Sequence, residues 1–244
     1  MMTELYENES ITKVNEGIEL IQNKRGLTYG TDAYLLSAFV KEKRSGIAAE
    51  IGSGSGIISL LLARKKKFSK IYALEVQEYY AALTERNAVL NELSDVVEAI
   101  HIDARNFKKE CDVVFMNPPY MKAAGGKRNE DDGKFAARHE LNGDINELCI
   151  SASGMLKYGG DLYAVYRPDR LADLIYAMKA CGIEPKSACF VHRDASHIPC
   201  LVLISGKKGG KSGMKLLRPL FLNDENGNDT VDCKYIYENC TWVD

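Results

Sequence analysis

Short apolar runs alternate with longer stretches of helical spacing along most of the chain. Five of these runs have the length of a buried strand, and they occupy residues 47–51, 70–74, 96–102, 112–116 and 161–166. Stretches with apolar positions three or four residues apart predict helices over residues 57–64, 77–91, 145–156 and 168–181. This alternation predicts a mostly parallel sheet that carries helices on both faces.

The end of this alternation follows a different pattern. The apolar runs at residues 186–192 and 200–205 are close in sequence, which predicts an antiparallel pair rather than another crossover. We expect Gly159 and Gly160 to end the helix over residues 145–156. The predicted fold is therefore α/β, a Rossmann-like doubly wound, mostly parallel seven-stranded sheet whose last strand is antiparallel.

The segments outside the alternation give weaker patterns. The polar residues 1–12 predict a loose start, and residues 13–25 predict a short strand or turn. Thr31 or Asp32 is placed to cap a helix over the apolar residues that follow. Residues 207–213 are rich in Lys and Gly and predict a flexible linker.

Composition limits the function classes. The chain has 244 residues, of which 45% are hydrophobic, as expected for one large α/β domain. Its net charge of −2 means that nucleic-acid binding would need a local basic patch. The 7 cysteines lack C-x-x-C or zinc spacing, which predicts reduced thiols and no metal. The polar N-terminus and short apolar runs predict a cytoplasmic protein with no membrane segment.

A glycine-rich loop follows the first predicted strand and opens the first helix after it. The segment Glu50 to Ile57 has the form G-x-G-x-G behind an acidic residue. Glycines at such a position let the backbone approach a ligand closely. A dinucleotide site requires G-x-G-x-x-G/A, and Ile57 occupies the third position of that pattern. The loop instead resembles the first motif of S-adenosylmethionine-dependent methyltransferases.

Two acids end the next predicted strands. Glu75 follows the glycine loop by about twenty residues, where a carboxylate accepts from both ribose hydroxyls of a nucleoside. Asp103 ends the third strand and precedes Ala104. In methyltransferases an acid at this position accepts from the adenine amino group, so both residues are predicted to contact the cofactor.

The segment Asn117-Pro118-Pro119-Tyr120 follows the fourth predicted strand. The lone pair of a planar amine is delocalised, so such an amine is a poor nucleophile. Acceptors for its hydrogens, here the Asn117 side-chain oxygen and the Pro118 carbonyl, concentrate electron density on nitrogen. The prolines stiffen this segment, and Tyr120 offers a flat face on which a base can stack. The segment therefore predicts methylation of an amino or amide nitrogen.

Further segments make the resemblance specific to one family of methyltransferases. Residues 26–39 with Tyr29-Gly30-Thr31-Asp32, residues 117–120 and 137–140, and residues 166–171 resemble the tRNA(Val) (adenine-N6) methyltransferase family. The resemblance implies methylation of the exocyclic amine of an adenine beside the tRNA anticodon. It also implies that the cofactor is held by residues of several loops: Gly30, Thr31, Glu50, Gly52, Gly54, Gly56, Glu75, Asp103, Ala104 and Asn117.

An RNA substrate requires cations near the predicted pocket. Five basic residues follow Tyr120 within twenty positions and are predicted to contact phosphates: Lys122, Lys127, Arg128, Lys134 and Arg138. The chain is predicted to have three parts: an N-terminal segment over residues 1–45 covering the cofactor site, a methyltransferase core over 46–206, and a C-terminal extension over 207–244.

Other functions remain open on this evidence. Methyltransferases of release-factor glutamine or of an rRNA base share the need for acceptors around a planar nitrogen. A non-catalytic protein of the same fold that only binds RNA or a partner is a further alternative. The sequence does not determine the oligomeric state, the exact RNA or the role of residues 223–244.

Overall fold

The computed structural model describes residues 5–15, 17–24, 30–118 and 144–243. Within these ranges, a nine-stranded sheet forms the centre of the protein. Its first five strands are parallel, namely β3 Ile47–Ile51, β4 Lys70–Glu75, β5 Val97–His101, β6 Cys111–Met116 and β7 Leu156–Tyr166. The other four are β8 Ile183–His192, β9 Pro199–Lys208, β10 Lys215–Leu216 and β11 Leu220–Phe221. The order is β10-β8-β9-β7-β6-β3-β4-β5, and β11 also pairs with β8.

This sheet confirms the predicted α/β class. Strand β9 is antiparallel to both β7 and β8, so the last of the seven long strands has the predicted direction. The two-residue strands β10 and β11 were not predicted, because so short a segment has no periodicity of its own. They extend the edge along β8.

The remaining elements lie around the sheet. The helices are α1 Thr31–Phe39, α2 Ile57–Arg64, α3 Glu78–Leu90, α4 Ile145–Met155, α5 Leu171–Ala180 and α6 Val231–Asn239. Two 3-10 turns span Ala104–Asn106 and Pro168–Arg170, and an N-terminal hairpin comprises β1 Glu9–Asn15 and β2 Ile18–Asn23.

Both faces of the sheet are covered by apolar side chains. On one face, residues of α1 and α2 pack with Phe115 of β6. On the other face, residues of α4 and α5 pack with Val114 and Met116 of the same strand. Successive side chains of a strand point to opposite faces, so a strand buried on both sides is apolar at every position. This explains why the strands appear in the sequence as continuous apolar runs.

The N-terminal hairpin confirms the short strand predicted within residues 13–25, which is β2, and corrects the prediction of a loose start over residues 1–12. Its outer strand begins at Glu9, and β2 packs on α3. The Asn87 side chain accepts from the Ile21 N–H at 2.7 Å and donates to the Ile21 carbonyl at 3.1 Å, as a neighbouring strand would. Arg86 of α3 pairs with the buried Glu9 carboxylate at 2.6 Å. These partners lie far away in the sequence, so the local pattern did not reveal the hairpin.

Gly159 and Gly160 do not end a helix. Helix α4 ends at Met155 and β7 begins at the next residue, so both glycines lie inside the strand. Gly159 has φ +78°, and the pairing of β6 with β7 shifts register here. Glycines are typical of a β-bulge as well as of a helix end, so the sequence pattern fits either structure.

The predicted flexible linker is also ordered in part. Lys207 and Lys208 are the last residues of β9, and the Lys208 amine donates to the carbonyls of Ser153 and Leu156. Helix α6 packs against α1, and the Tyr237 hydroxyl donates to Thr31 Oγ1 at 3.0 Å. The C-terminal residues therefore fold back onto the helix that precedes the core sheet.

Two features of the described residues bear on other function classes. None of the described helices is long and apolar enough to cross a membrane. No group of three His, Cys, Asp or Glu side chains in the described ranges is arranged to hold a metal ion. All seven cysteines are free thiols, and most are buried.

Candidate active site

A cleft of about 320 Å³ opens at the carboxyl ends of the parallel strands. It is lined by residues that directly follow or end these strands: Gly52 after β3, Glu75 of β4, Asp103 and Ala104 after β5, Asn117 and Pro118 after β6, and Tyr166 of β7. Ligands of open α/β sheets bind at this edge. The structure thus brings six predicted site residues into one cleft.

The glycine loop has left-handed backbone torsions at Gly52, Gly54 and Gly56, with φ of +73°, +55° and +82°. Gly52 lines the cleft, and among the described residues no heavy atom lies within 4 Å of the place where its Cβ would be, so this position is open. Gly56 is the N-cap of α2 and packs closely on Thr84. Left-handed torsions favour glycine, which explains three glycines in five residues.

Glu75 connects this loop to the end of β4. Its carboxylate accepts from the Gly54 N–H at 2.9 Å and from the Gln77 N–H at 3.0 Å. The side chain is 5% exposed and lines the cleft. A carboxylate held by two backbone donors keeps a fixed direction, and its remaining lone pairs can accept from ligand hydroxyls.

Glu50 lies behind the loop and not on the cleft. It is 1% exposed, and its Oε2 accepts from the Ser59 N–H at 3.1 Å and from the Ser59 hydroxyl. Burial raises the pKa of the Glu50 carboxyl to about 8. In this position Glu50 holds the first turn of α2 against the end of β3. The sequence-based prediction of a direct cofactor contact by Glu50 stays a prediction.

The buried Glu50 proton is expected to make stability depend on pH. The folded state keeps this proton up to about pH 8, whereas the unfolded chain loses it near the usual carboxyl range. Folding therefore takes up a proton in this window, and stability falls as pH rises towards 8. Thermal unfolding of Glu50→Gln without ligand should show a smaller decline than wild type. Parallel curves for the two proteins would contradict the assignment.

Gly56 allows a direct test of the loop geometry. A Cβ at this position would lie 2.7 Å from Thr84 Cγ2, at a φ of +82°. We expect Gly56→Ala to lower the free energy of unfolding by about 2 kcal/mol or more. The matched control is Gly154→Ala, an exposed helical site without a close neighbour, which should gain about 0.5–1 kcal/mol. Equal effects in denaturant unfolding would show that the torsion at Gly56 is unimportant.

Asp103 and Ala104 line the cleft on the side of β5. Arg105 donates to both carboxylate oxygens of Asp103, with Nε at 3.0 Å from each, and this contact holds the pKa of that carboxyl below its usual range. Arg105 also pairs with Glu147 of α4 at 3.4 Å. If Asp103 accepts from an adenine amino group as predicted, its carboxylate would bind that group and Arg105 at the same time.

Asn117 follows β6, and its side chain is hydrogen-bonded to a residue of helix α1. The Asn117 Nδ2 donates to Asp32 Oδ2 at 3.0 Å. Asp32 lies in the first turn of α1, and its other oxygen accepts from the Ala33 N–H at 2.9 Å. The prediction that Thr31 or Asp32 is the N-cap of α1 is wrong, because Gly30 occupies that position and the helix begins at Thr31.

Several predicted residues lie elsewhere or cannot be placed. Gly30 and Thr31 directly precede Asp32, and neither is among the described residues that line the cleft. Pro119 and Tyr120 lie outside the described residues. So do all the basic residues predicted to contact RNA, namely Lys122, Lys127, Arg128, Lys134 and Arg138.

The cleft also contains residues that sequence reasoning missed. Arg105, Asp144, Glu147, Arg170 and Tyr176 line it beside the predicted ones. Asp144 caps α4 by accepting from the Glu147 N–H at 3.0 Å. An acid directly before a predicted helix is a capping signal, but nothing local shows that this helix begins beside a ligand cleft.

The fold and the cleft together define the class of protein. The sheet is doubly wound and closes with an antiparallel strand. Its G-x-G-x-G loop and the acid at the end of the next strand are the features expected of a nucleoside site, and the loop lacks the dinucleotide signature. The chain is an S-adenosylmethionine-dependent methyltransferase.

Comparison with known proteins gives the family. The model of the family described as "Methyltransferase small domain" matches residues 23–173, and the chain belongs to this family. A tRNA1(Val) (adenine(37)-N6)-methyltransferase of Pedobacter heparinus is 24% identical over 178 residues, which cover 72% of this chain and 75% of the relative. A protein of the same name from Porphyromonas gingivalis is 28% identical over 171 residues, or 65% and 66% of the two chains.

Solved structures support the fold. A protein of Agrobacterium tumefaciens described as a predicted O-methyltransferase has a TM-score of 0.68 at 19% identity, covering 87% of this chain and 98% of that one. The TYW2 protein of M. jannaschii, in complex with AdoMet, has a TM-score of 0.58 at 15% identity, covering 83% and 88%. At these identities the likeness concerns the fold alone.

The residues present fit the cofactor of the family. The open side of Gly52 admits a ligand close to the backbone, and Glu75 presents an oriented carboxylate to the cleft. S-adenosylmethionine has a net positive charge. The acids on the cleft, Glu75, Asp103, Asp144, Glu147 and Asp173, outnumber its arginines, Arg105, Arg167 and Arg170. The charge of the cleft therefore suits this cofactor.

Proposed function

We propose that this enzyme methylates the exocyclic N6 amine of an adenine in tRNA, beside the anticodon. The observation that carries the proposal is the position of Asn117 and Pro118, at the carboxyl end of β6 in the same cleft as Glu75. The name shared by the relatives from Pedobacter heparinus and Porphyromonas gingivalis supports an adenine in tRNA as the acceptor.

The chain's own residues act mainly by positioning. S-adenosylmethionine, when bound, supplies a methyl group on a positively charged sulfur. Glu75 and the glycine loop hold the nucleoside half of the cofactor at β3 and β4. The Asn117 side-chain oxygen and the Pro118 carbonyl accept hydrogen bonds from the target amine, which directs the nitrogen lone pair. Fixing both reactants in line removes much of the entropic part of the barrier.

Other parts of the proposal depend on residues outside the described ranges. We propose that Tyr120 stacks on the target base and that Lys122, Lys127, Arg128, Lys134 and Arg138 contact RNA phosphates. We also propose that the chain has three parts, over residues 1–45, 46–206 and 207–244, and that the protein is cytoplasmic. The proposed methyl transfer requires no metal ion.

The test is a methylation assay with the purified chain. It is incubated with S-adenosylmethionine and unmodified total tRNA, and the RNA is digested to nucleosides and analysed by mass spectrometry. New N6-methyladenosine would support the proposal. Cofactor binding without any methylated nucleoside would contradict it. The same assay with rRNA, and mass spectrometry of peptides from release factors incubated with the enzyme and S-adenosylmethionine, would then test the alternative acceptors. Absence of both cofactor binding and methylation would favour a non-catalytic protein of the same fold.

A further inference from the structure

We infer that Asp32 is a positioning residue for the reaction: it sets the direction of the Asn117 amide and strengthens its oxygen as an acceptor. The inference rests on the proposed function, since it concerns how Asn117 would accept a hydrogen bond from the target amine. The two side chains are 85 residues apart in the sequence, and their contact is 3.0 Å long.

The direction of the amide follows from the chemistry of its partner. A carboxylate only accepts hydrogen bonds, so the group of Asn117 that faces Asp32 must be the NH2 group. An amide is planar, and its oxygen lies on the other side of the same carbon. Asp32 therefore prevents a flip of the Asn117 side chain, which would otherwise present a donor where the target amine needs an acceptor.

The charge of Asp32 adds to this effect. A hydrogen bond from an amide N–H to an anion shifts electron density towards the amide oxygen, because such bonds polarise one another in chains. The target nitrogen gains positive charge as its bond to the methyl carbon forms, and its hydrogens become stronger donors. An acceptor strengthened by Asp32 therefore stabilises the transition state more than the ground state.

Helix α1 is well suited to hold Asp32 in place. Near its start, the Tyr237 hydroxyl donates to Thr31 Oγ1 at 3.0 Å, and the Tyr34 and Tyr237 rings meet edge to face at 5.1 Å. Near its end, the Lys67 amine donates to the carbonyls of Ser37 and Val40 at 2.8 and 2.7 Å. A positioning contact is effective when its own element is rigid.

The experiment compares single-turnover methylation of tRNA by Asp32→Asn, Asn117→Asp and the double variant. Asp32→Asn replaces a group that only accepts by one that also donates. Asn117→Asp sets two carboxylates against each other. We expect each single variant to lose on the order of 10- to 100-fold in rate, and Asp32→Asn to keep the wild-type affinity for S-adenosylmethionine. The double variant restores one donor and one carboxylate, and it should regain activity over both single variants.

Each outcome is decisive for the inference. Recovery in the double variant supports it, because a merely structural role of Asp32 would not be rescued by a change at Asn117. Wild-type rates in Asp32→Asn, or losses that simply multiply in the double variant, would overturn it. The control is Glu78→Gln, which removes an exposed acid from the first turn of α3 and reports the general effect of charge at a helix start.

A second measurement separates this inference from the proposed function. The side-chain NH2 resonances of Asn117, assigned as those missing from the spectrum of Asn117→Ala, should show one proton shifted downfield and slow to exchange. Asp32→Asn should remove the shift. An Asn117 NH2 group that exchanges like a solvent-exposed amide would overturn the inference even if tRNA is methylated. If the wild-type protein methylates no tRNA, the proposed function fails while this measurement still tests the contact.

Discussion

Replacing Asn117 with alanine is expected to lower the methylation rate on the order of 100- to 1,000-fold while S-adenosylmethionine still binds. The side-chain oxygen becomes a stronger hydrogen-bond partner as the target nitrogen gains charge. Its loss should therefore lower the rate of the chemical step far more than it lowers the affinity for the cofactor. Single-turnover kinetics with saturating tRNA and cofactor, together with calorimetry of cofactor binding, measure the two effects separately.

A control for this prediction lies close to the cleft. Asn106 is exposed at the end of the 3-10 turn after β5 and does not line the cleft. Asn106→Ala should therefore react at the wild-type rate. A rate for Asn117→Ala close to that of wild type would show that the acceptor is supplied by another group, and it would remove the main support for methylation of a planar nitrogen.

Replacing Glu75 with alanine is expected to weaken S-adenosylmethionine binding on the order of 100-fold. Two effects act together: the variant loses hydrogen bonds from a charged acceptor to the ligand, and it releases the Gly54 and Gln77 N–H groups that fix the glycine loop. Hydrogen bonds to charged groups are each worth about 1.5–3 kcal/mol, which sets this scale. Calorimetric titration of the purified variant gives the dissociation constant directly.

Glu78→Gln again provides the comparison, because Glu78 is exposed three residues further along the chain. It should bind the cofactor as wild type does. If Glu75→Ala retained wild-type affinity, the ribose site would have to lie elsewhere in the cleft. A loss of affinity accompanied by unfolding would be recognised by circular dichroism, and Glu75→Gln, which keeps the side-chain volume, would then decide between the two causes.

Much of the cleft could be predicted from the sequence, because its residues lie where one strand ends. Gly52, Glu75, Asp103 and Asn117 each follow or end a strand of clear apolar pattern. Carboxyl ends of parallel strands meet at one edge of a sheet, so a correct assignment of the strands was enough to bring these side chains together. The RNA-binding prediction for Lys127 and its neighbours stays a prediction, since those residues lie outside the described ranges.

The partners of these side chains could not be predicted in the same way. Arg105 binds Asp103 from two positions away, yet nothing in the local pattern shows that it turns back onto the carboxylate. Glu50 is predicted to contact the cofactor because it precedes the glycine loop, and the sequence did not show that its carboxylate also binds Ser59 in the first turn of α2. Whether a side chain faces a cleft or a helix end depends on packing that the sequence motif does not contain.

The sequence by itself determined the α/β class, the antiparallel closing strand and the position of the glycine loop, because these depend on local periodicity and on torsions that glycine permits. Only the tertiary structure decided the contacts between distant segments. The Asp32–Asn117 and Thr31–Tyr237 contacts join residues 85 and 206 positions apart. The packing of α1 on α6 brings Thr31 to Tyr237, and the start of α1 lies beside the end of β6, where Asp32 meets Asn117. No local preference along the chain specifies which of many polar side chains will meet.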